Sequence, residues 1–152
     1  MRRPATLILA LLLVLLPSTS ASAQTVEGRF CAAFPVRADI LENRTADRPA
    51  EGLRPFRLIN TGRLVVRVTN QTNGKSVVLN VSGPTFATPN PDGTTTLDYR
   101  GRALIGMVAG EPGGPRLFVN SGQVVLVLDP AGVLTQVRQT GHLEDLCVTL
   151  AT

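Results

Sequence analysis

Apolar and polar positions alternate along the middle of the chain. In the segments 63–70 and 75–82, Val and Leu recur at about every second position among Thr, Ser, Asn and Arg, and the segment 94–100 is rich in β-branched Thr. Asn-Gly at 73–74 and Asp-Gly at 92–93 separate these segments. A period of two between such turn dipeptides is typical of half-buried strands joined as hairpins. The pattern predicts an antiparallel sheet at the centre of the protein.

Shorter apolar runs of the same kind continue on both sides of this centre. They lie at 34–41, 55–59, 103–105, 117–119, 123–128 and 133–138. The polar stretch 42–52 is predicted as a loop or an irregular edge. The last segment, 143–150, fits either a strand or a short helical turn at 143–146. Gly141-His142 is expected to break the strand that precedes it, because glycine weakens a strand interior.

Eight to ten short strands without a long helical pattern indicate an all-β fold. Such strand spacing is typical of an antiparallel β-sandwich or of a closed β-barrel. Both architectures bury one face of every strand, and the short loops and up-and-down hairpins slightly favour a barrel-like closure. The pattern contains no internal repeat and no low-complexity linker.

The N-terminus has the features of a secretory signal peptide. Arg2 and Arg3 precede an apolar run at 7–16, and an Ala-x-Ala sequence ends at Ala23. A membrane-spanning helix needs about 20 apolar residues, which is about twice the length of this run. The sequence predicts a signal peptide at 1–23 and one secreted β domain at 24–152, with no membrane span after cleavage.

The charge of the secreted domain is small and its basic residues are scattered. The full chain has 15 Lys and Arg against 11 Asp and Glu, and two of the arginines belong to the leader. Binding to nucleic acid requires a clustered basic face. The sequence therefore predicts no nucleic-acid partner.

The chain has two cysteines, Cys31 and Cys147, near the two ends of the secreted domain. An even number of cysteines in an exported protein favours a disulfide. Two free thiols are the plain alternative. A metal site formed with His142 is a further alternative, although it lacks the closely spaced ligand pair of most zinc sites.

Several segments together resemble a family of small secreted actinobacterial β-proteins that has no assigned function. The segments that carry this resemblance are GRLVVRVTN (62–70), GKSVVLNVSGP (74–84), PDGTTTL (91–97), GRAL (101–104), GPRLF (114–118), LDP (128–130) and GHLEDLC (141–147). The resemblance implies export, a β domain and the two-cysteine arrangement. It implies no catalytic or binding residue.

The only histidine, His142, is followed closely by Glu144 and Asp145. On a helical turn, His142 and Asp145 would face the same ligand. The alternative interpretation is a polar turn before the last element. A metal would require further ligands that no spacing indicates.

Other catalytic arrangements have little support in the sequence. A Ser–His–Asp triad drawn from Ser82 or Ser121 with His142 lacks a nucleophile-elbow motif. Asp92 and Asp98 offer paired carboxylates, but Asp92 belongs to a Pro-Asp-Gly turn. Sugar-binding platforms usually need exposed aromatic residues, and the chain has no Trp and one Tyr. The sequence predicts no catalytic residue, no metal site and no cofactor.

Three functional hypotheses follow, in order of preference. The first is a non-enzymatic exported domain that binds an envelope or extracellular partner. The second is a carrier that holds a small apolar ligand inside a barrel. The third is a hydrolase or a metal-dependent enzyme centred on His142 with Glu144 or Asp145.

Overall fold

A computed structural model describes residues 24–50 and 58–152. The predicted signal peptide, 1–23, lies outside the described residues. So do positions 55–57 of the strand predicted at 55–59.

The described residues form ten strands and one short helix. These are β1 (Thr25–Gly28), β2 (Val36–Asn43), β3 (Ala46–Pro49), β4 (Leu58–Thr61), β5 (Leu64–Asn70), β6 (Ser76–Asn80), β7 (Thr85–Pro89), β8 (Thr95–Met107), β9 (Arg116–Leu128), β10 (Leu134–Asp145) and α1 (Leu146–Thr149). The stretch predicted as a loop or irregular edge contains β3. The last segment begins as a strand and ends as the helical turn α1.

The strands form two antiparallel sheets, so the predicted β-sandwich is confirmed. One sheet has four strands in the order β1-β2-β5-β6. The other has six in the order β10-β9-β8-β7-β4-β3. The closed barrel is wrong, because each sheet ends in two strands that pair on one side only. Alternation identifies the buried face of a strand, but it does not show whether the outer strands meet.

Three strands of the six-stranded sheet are longer than the sequence suggests. β8, β9 and β10 run through Gly101, Gly122 and Gly141, and these glycines are paired across the sheet. We call this alignment the glycine row. The prediction that Gly141-His142 breaks a strand is wrong, because the glycine lies inside β10, which continues to Asp145.

The first core lies between the two sheets. Its buried members from the four-stranded sheet, Val66, Val68 and Leu79, pack with Leu117 and Val119 of β9. Further buried members are Cys31, Phe34, Val36, Val81, Leu146 and Leu150. α1 places Leu146 and Leu150 in this core, both completely buried.

The second core lies on the opposite face of the six-stranded sheet. It contains Ala103, Ile105 and Met107 from one half of β8, and Leu97 and Tyr99 from the half beyond the glycine row. One groove is lined by both Met107 and Val137, although Val137 lies in the row of Leu97, which is ten positions from Met107 along β8. In a straight sheet these rows would be about 33 Å apart, so the strands must bend between them. The six-stranded sheet therefore folds over at the glycine row, with the second core on its concave face.

The middle of the molecule is the first half of β9, which is buried on both faces. Leu117 and Val119 belong to the first core, whereas Phe118 belongs to the second. This explains why the sequence is continuously apolar here, since a strand covered on both faces does not alternate.

The predicted disulfide joins Cys31 to Cys147, across 116 positions of the sequence. It connects the segment before β2 to the helix at the end of the chain. No helix in the described residues is long and apolar enough to cross a bilayer.

Candidate functional site

The structure separates the three polar residues that the sequence grouped near His142. His142 and Asp145 lie three positions apart on an extended strand, so their side chains point to opposite faces. Asp145 is the N-cap of α1, where its carboxylate accepts from the backbone N–H groups of Cys147 (2.9 Å) and Val148 (3.4 Å). Glu144 shares the face of His142.

The register of the sheet instead places His142 beside residues from other strands. His142 of β10 pairs with Ser121 of β9, and Ser121 pairs with Arg102 of β8. Directly paired residues of an antiparallel sheet have Cβ atoms about 5 Å apart. All three side chains are exposed. They form a row of polar groups that can each donate a hydrogen bond.

A second polar row lies on the other side of the glycines. It consists of Arg100, Gln123 and Thr140, which are paired in the same way. Both rows lie on the face opposite to the second core and therefore on the outside of the bend. We call the two rows together the corner: Arg100, Gln123, Thr140, Arg102, Ser121 and His142.

Close backbone contact at the bend explains two glycines of the glycine row. A Cβ atom on Gly141 would lie 2.4 Å from the carbonyl oxygen of Ser121, and Gly141 has a φ of +98°. A Cβ atom on Gly122 would lie 2.4 Å from the carbonyl oxygen of Thr140. The backbones of β9 and β10 can approach this closely only without side chains. The corner is therefore held on a tightly packed backbone.

A buried carboxylate under the corner binds one of the two arginines of β8 and not the other. Asp98 is only 5% exposed. Its Oδ2 accepts from Nε (3.1 Å) and Nη2 (2.9 Å) of Arg100, and its Oδ1 accepts from Nε2 of Gln123 (2.9 Å). Arg100 also lies over the ring of Phe86, 4.9 Å from the centroid. Asp98 thus neutralises Arg100 and holds it in place.

Arg102 has no such partner. Its side chain makes no hydrogen bond or ion pair with any described residue. The side chains of Ser121 and His142 are likewise without a partner in residues 24–50 and 58–152. Arg102 therefore supplies a positive charge to the corner that the described protein does not neutralise.

Two grooves flank the corner. One has a volume of about 630 Å³ and is lined by Gln123, Val125, Arg138, Gln139 and Thr140. The other has about 580 Å³ and is lined by Val78, Asn80, Ser82, Gly83 and Arg102. The corner with its grooves is a broad outward-facing surface that crosses four strands.

The arrangement only partly resembles a catalytic triad. Ser121 stands opposite His142, and Glu144 lies two residues further along the same strand face. Triad chemistry requires a hydrogen bond from the nucleophile to the base and another from the base to a carboxylate. Neither bond is present in the described structure. The site also lies on a convex surface, which does not exclude water from a reacting group.

The other proposed catalytic residues have structural roles. Ser82 Oγ accepts from the backbone N–H of Leu64 (2.9 Å) and also bonds to the side chain of Asn80. Asp92 accepts from the backbone N–H and the hydroxyl of Thr94 in the turn before β8, and these bonds lower the pKa of Asp92. The described residues contain no group of three or more His, Cys, Asp or Glu that could hold a metal.

Sequence reasoning named His142, Ser121 and Asp98, but it missed Arg102 and gave no sign that Asp98 is buried and bonded to Arg100. One signal was available: each glycine of the row stands between two polar residues, as Arg100-Gly-Arg102, Ser121-Gly-Gln123 and Thr140-Gly-His142. Only the strand register shows that the three tripeptides lie side by side.

No protein-family model, curated protein or solved structure matches this chain. The resemblance to secreted actinobacterial β-proteins therefore stays a prediction.

Proposed function

We propose that this protein is a non-enzymatic exported domain that binds an anionic polymer of the cell envelope through the corner. The observation that carries the proposal is the row Arg102–Ser121–His142, whose side chains are exposed and have no hydrogen-bond or ion-pair partner among the described residues. A guanidinium group without a carboxylate, next to a hydroxyl and an imidazole, suits a phosphate or carboxylate group.

The shape of the corner favours an extended ligand over a small one. Small molecules are usually bound in concave pockets that cover most of their surface. The corner lies on the outside of a bend and continues into a groove on each side. An extended chain with repeated anionic groups can contact such a surface over several strands, whereas a small molecule would stay largely in water.

Export is supported by the disulfide and by the predicted leader. Cys31 is almost completely buried and is bonded to Cys147. Structural disulfides of this kind persist in oxidising compartments outside the cytosol. The proposed partner is therefore an envelope or extracellular polymer, and the proposed localisation is secreted.

The alternative of an apolar-ligand carrier has less support. It required a barrel with an open interior, and the sandwich has two filled cores instead. A partly enclosed cavity of about 160 Å³ has Thr45, Asn60 and Ser82 in its lining. Ligand pockets typically have about 300–1,000 Å³. This cavity is too small for a lipid-sized molecule.

A hydrolase is the second candidate function, because Ser121 pairs directly with His142. In unliganded enzymes, catalytic hydrogen bonds are often long and shorten only when substrate binds. In this reading Ser121 would be the nucleophile, His142 the base and Glu144 the group that orients the imidazole.

A two-dimensional NMR titration tests the binding function. We expect an oligomer of glycerol phosphodiester to shift the amide signals of Arg102, Ser121 and His142, and a neutral glucan oligomer to leave them unchanged. Arg102→Ala should weaken binding by about fivefold, the value of roughly one charge-assisted contact. Arg67→Ala is the matched control, since Arg67 is also exposed but lies on the four-stranded sheet.

Two outcomes would contradict the proposal. Equal binding of the neutral oligomer, or equal loss of affinity in both variants, would show that the charge of Arg102 does not drive recognition. Covalent labelling of Ser121 by a fluorophosphonate probe, abolished in His142→Ala, would favour the hydrolase instead.

A further inference from the structure

The four outer strands of the two sheets differ in how well they are protected from pairing with another chain. β1 and β3 have four residues each and β6 has five. β3 also ends in Pro49, which cannot donate to a neighbouring strand. Short edges and edge prolines are common ways to prevent intermolecular pairing.

β10 is the exception, because it is long and unprotected. It spans 12 residues, contains neither Pro nor Lys, and has its only bulge at the far end, between Leu134 and Gln136. Its pairing partner is β9, and no other described strand pairs with it. An outer edge of this length presents a row of backbone donors and acceptors to another strand.

The bend at Gly141 restricts what can pair with this edge. β8, β9 and β10 all bend at the glycine row, and a Cβ atom on Gly122 or Gly141 would lie 2.4 Å from a backbone oxygen of the paired strand. A straight strand would follow only one half of β10. A strand that pairs along its whole length must bend at the same position and needs a glycine there.

A second copy of this chain meets that requirement. We propose that two copies form a two-fold symmetric dimer by antiparallel pairing of their β10 strands, with Gly141 of one copy opposite Gly141 of the other. The glycine row then continues across the interface, from Gly101 of one copy to Gly101 of the other.

This register also pairs opposite charges. Antiparallel pairing centred on Gly141 places Arg138 three positions from the axis, opposite Glu144 of the second copy. Both side chains lie on the same face of β10, and neither has an ion pair within the described residues. Symmetry creates this pair twice. Opposite charges at directly paired positions stabilise an antiparallel pair, and like charges destabilise it.

The dimer would also join the two corners. His142 would stand opposite Thr140 of the second copy, so the rows of the two subunits would form one continuous polar surface. This consequence rests on the pairing register and does not depend on the proposed ligand.

Sedimentation equilibrium on the oxidised exported chain tests the dimer. We expect a concentration-dependent monomer–dimer equilibrium without larger species, because a two-fold interface closes on itself. Arg138→Glu and Glu144→Arg should each weaken the dimer by at least about tenfold, since each places two like-charge pairs at the interface. The double variant, which exchanges the charges, should restore dimerisation.

Arg48→Glu is the matched control, because Arg48 is an exposed arginine on β3, the opposite edge of the same sheet. It should leave the dimer unchanged. Circular dichroism on every variant distinguishes a loss of association from a loss of folding. If one of Arg138→Glu and Glu144→Arg does not fold, the other is used in the comparison. A chain that is monomeric at all concentrations overturns the proposal, and so does a dimer whose charge-exchanged variant is not restored.

The outcomes for ligand and dimer are independent. Anionic-oligomer binding by a strict monomer would overturn the dimer and leave the proposed function in place. A dimer that does not bind the anionic oligomer would overturn the proposed function and leave the dimer in place.

Discussion

Two arginines of β8 lie two positions apart on the same face, and their surroundings give them different roles. Arg100 shares the buried Asp98 with Gln123 and lies over the ring of Phe86. Arg102, beyond the bend, makes no bond to a described side chain. The difference follows from position, because Asp98 lies on the near side of Gly101 and the sheet turns away beyond it. Arg100 therefore stabilises the corner, whereas the guanidinium group of Arg102 has no partner among the described residues.

Tyr99 gives a prediction at the same scale. It packs against the second core, and burial raises the pKa of its hydroxyl above the usual 10.0. The folded state then holds this proton more tightly than the unfolded state does. The stability linked to this proton is complete below pH 10 and is lost as the pH rises through the folded-state pKa.

The measurement is simple because the chain has one Tyr and no Trp. Tyrosinate absorbance of the native protein should rise with a midpoint above pH 10. The free energy of unfolding should fall more steeply above this pH in the natural protein than in Tyr99→Phe. A midpoint at or below the value of free tyrosine would show that the hydroxyl is not buried as described.

At the scale of single elements, the sequence predicts where strands lie better than where they end. Alternation located β5 and β6 because each has one buried face, and apolar runs located the two halves of β9. The predicted runs left out Gly101 and Gly122, and Gly141 was expected to break its strand, because a glycine can end a strand or bend it. Whether the glycine ends the strand or bends it depends on whether the neighbouring strand continues to pair beyond that position. The corner depends on the same register, so His142 could be identified from the sequence but its pairing with Ser121 and Arg102 could not.

Alanine substitutions of two glycines distinguish the cost of a positive φ from the cost of a close contact between Cβ and the backbone. Gly141 and Gly110 have similar φ values, +98° and +95°. A Cβ atom on Gly110 has open space within 4 Å, whereas on Gly141 it meets the carbonyl oxygen of Ser121. We expect Gly110→Ala to lower the free energy of unfolding by about 1 kcal/mol and Gly141→Ala by about 3 kcal/mol. Urea unfolding measures both. Equal losses would show that the bend tolerates a side chain.

At the scale of the whole molecule, two separate cores share one strand. β9 contributes Leu117 and Val119 to the first core and Phe118 to the second, so neither core can loosen without moving the strand that serves the other. The two ends of the domain meet at the first core, where the disulfide joins Cys31 to Cys147 and the amide of Asn70 donates to the carbonyl oxygen of Leu150. The sandwich is therefore closed by contacts between its ends, although its sheets remain open at their edges.

Removing the disulfide tests how much this closure contributes. The bridge joins residues 116 positions apart, and in the chain-entropy model a loop of that size contributes roughly 4–5 kcal/mol by restricting the unfolded chain. We expect Cys31→Ser with Cys147→Ser to lower the free energy of unfolding by about this amount. Chemical denaturation of the oxidised, reduced and doubly substituted proteins measures it. The reduced protein is the matched control, because it lacks the bond but keeps both sulfur atoms. A loss below about 1 kcal/mol would mean that the packing of Leu146 and Leu150 already holds the end of the chain, so that the bridge adds little to the folded domain.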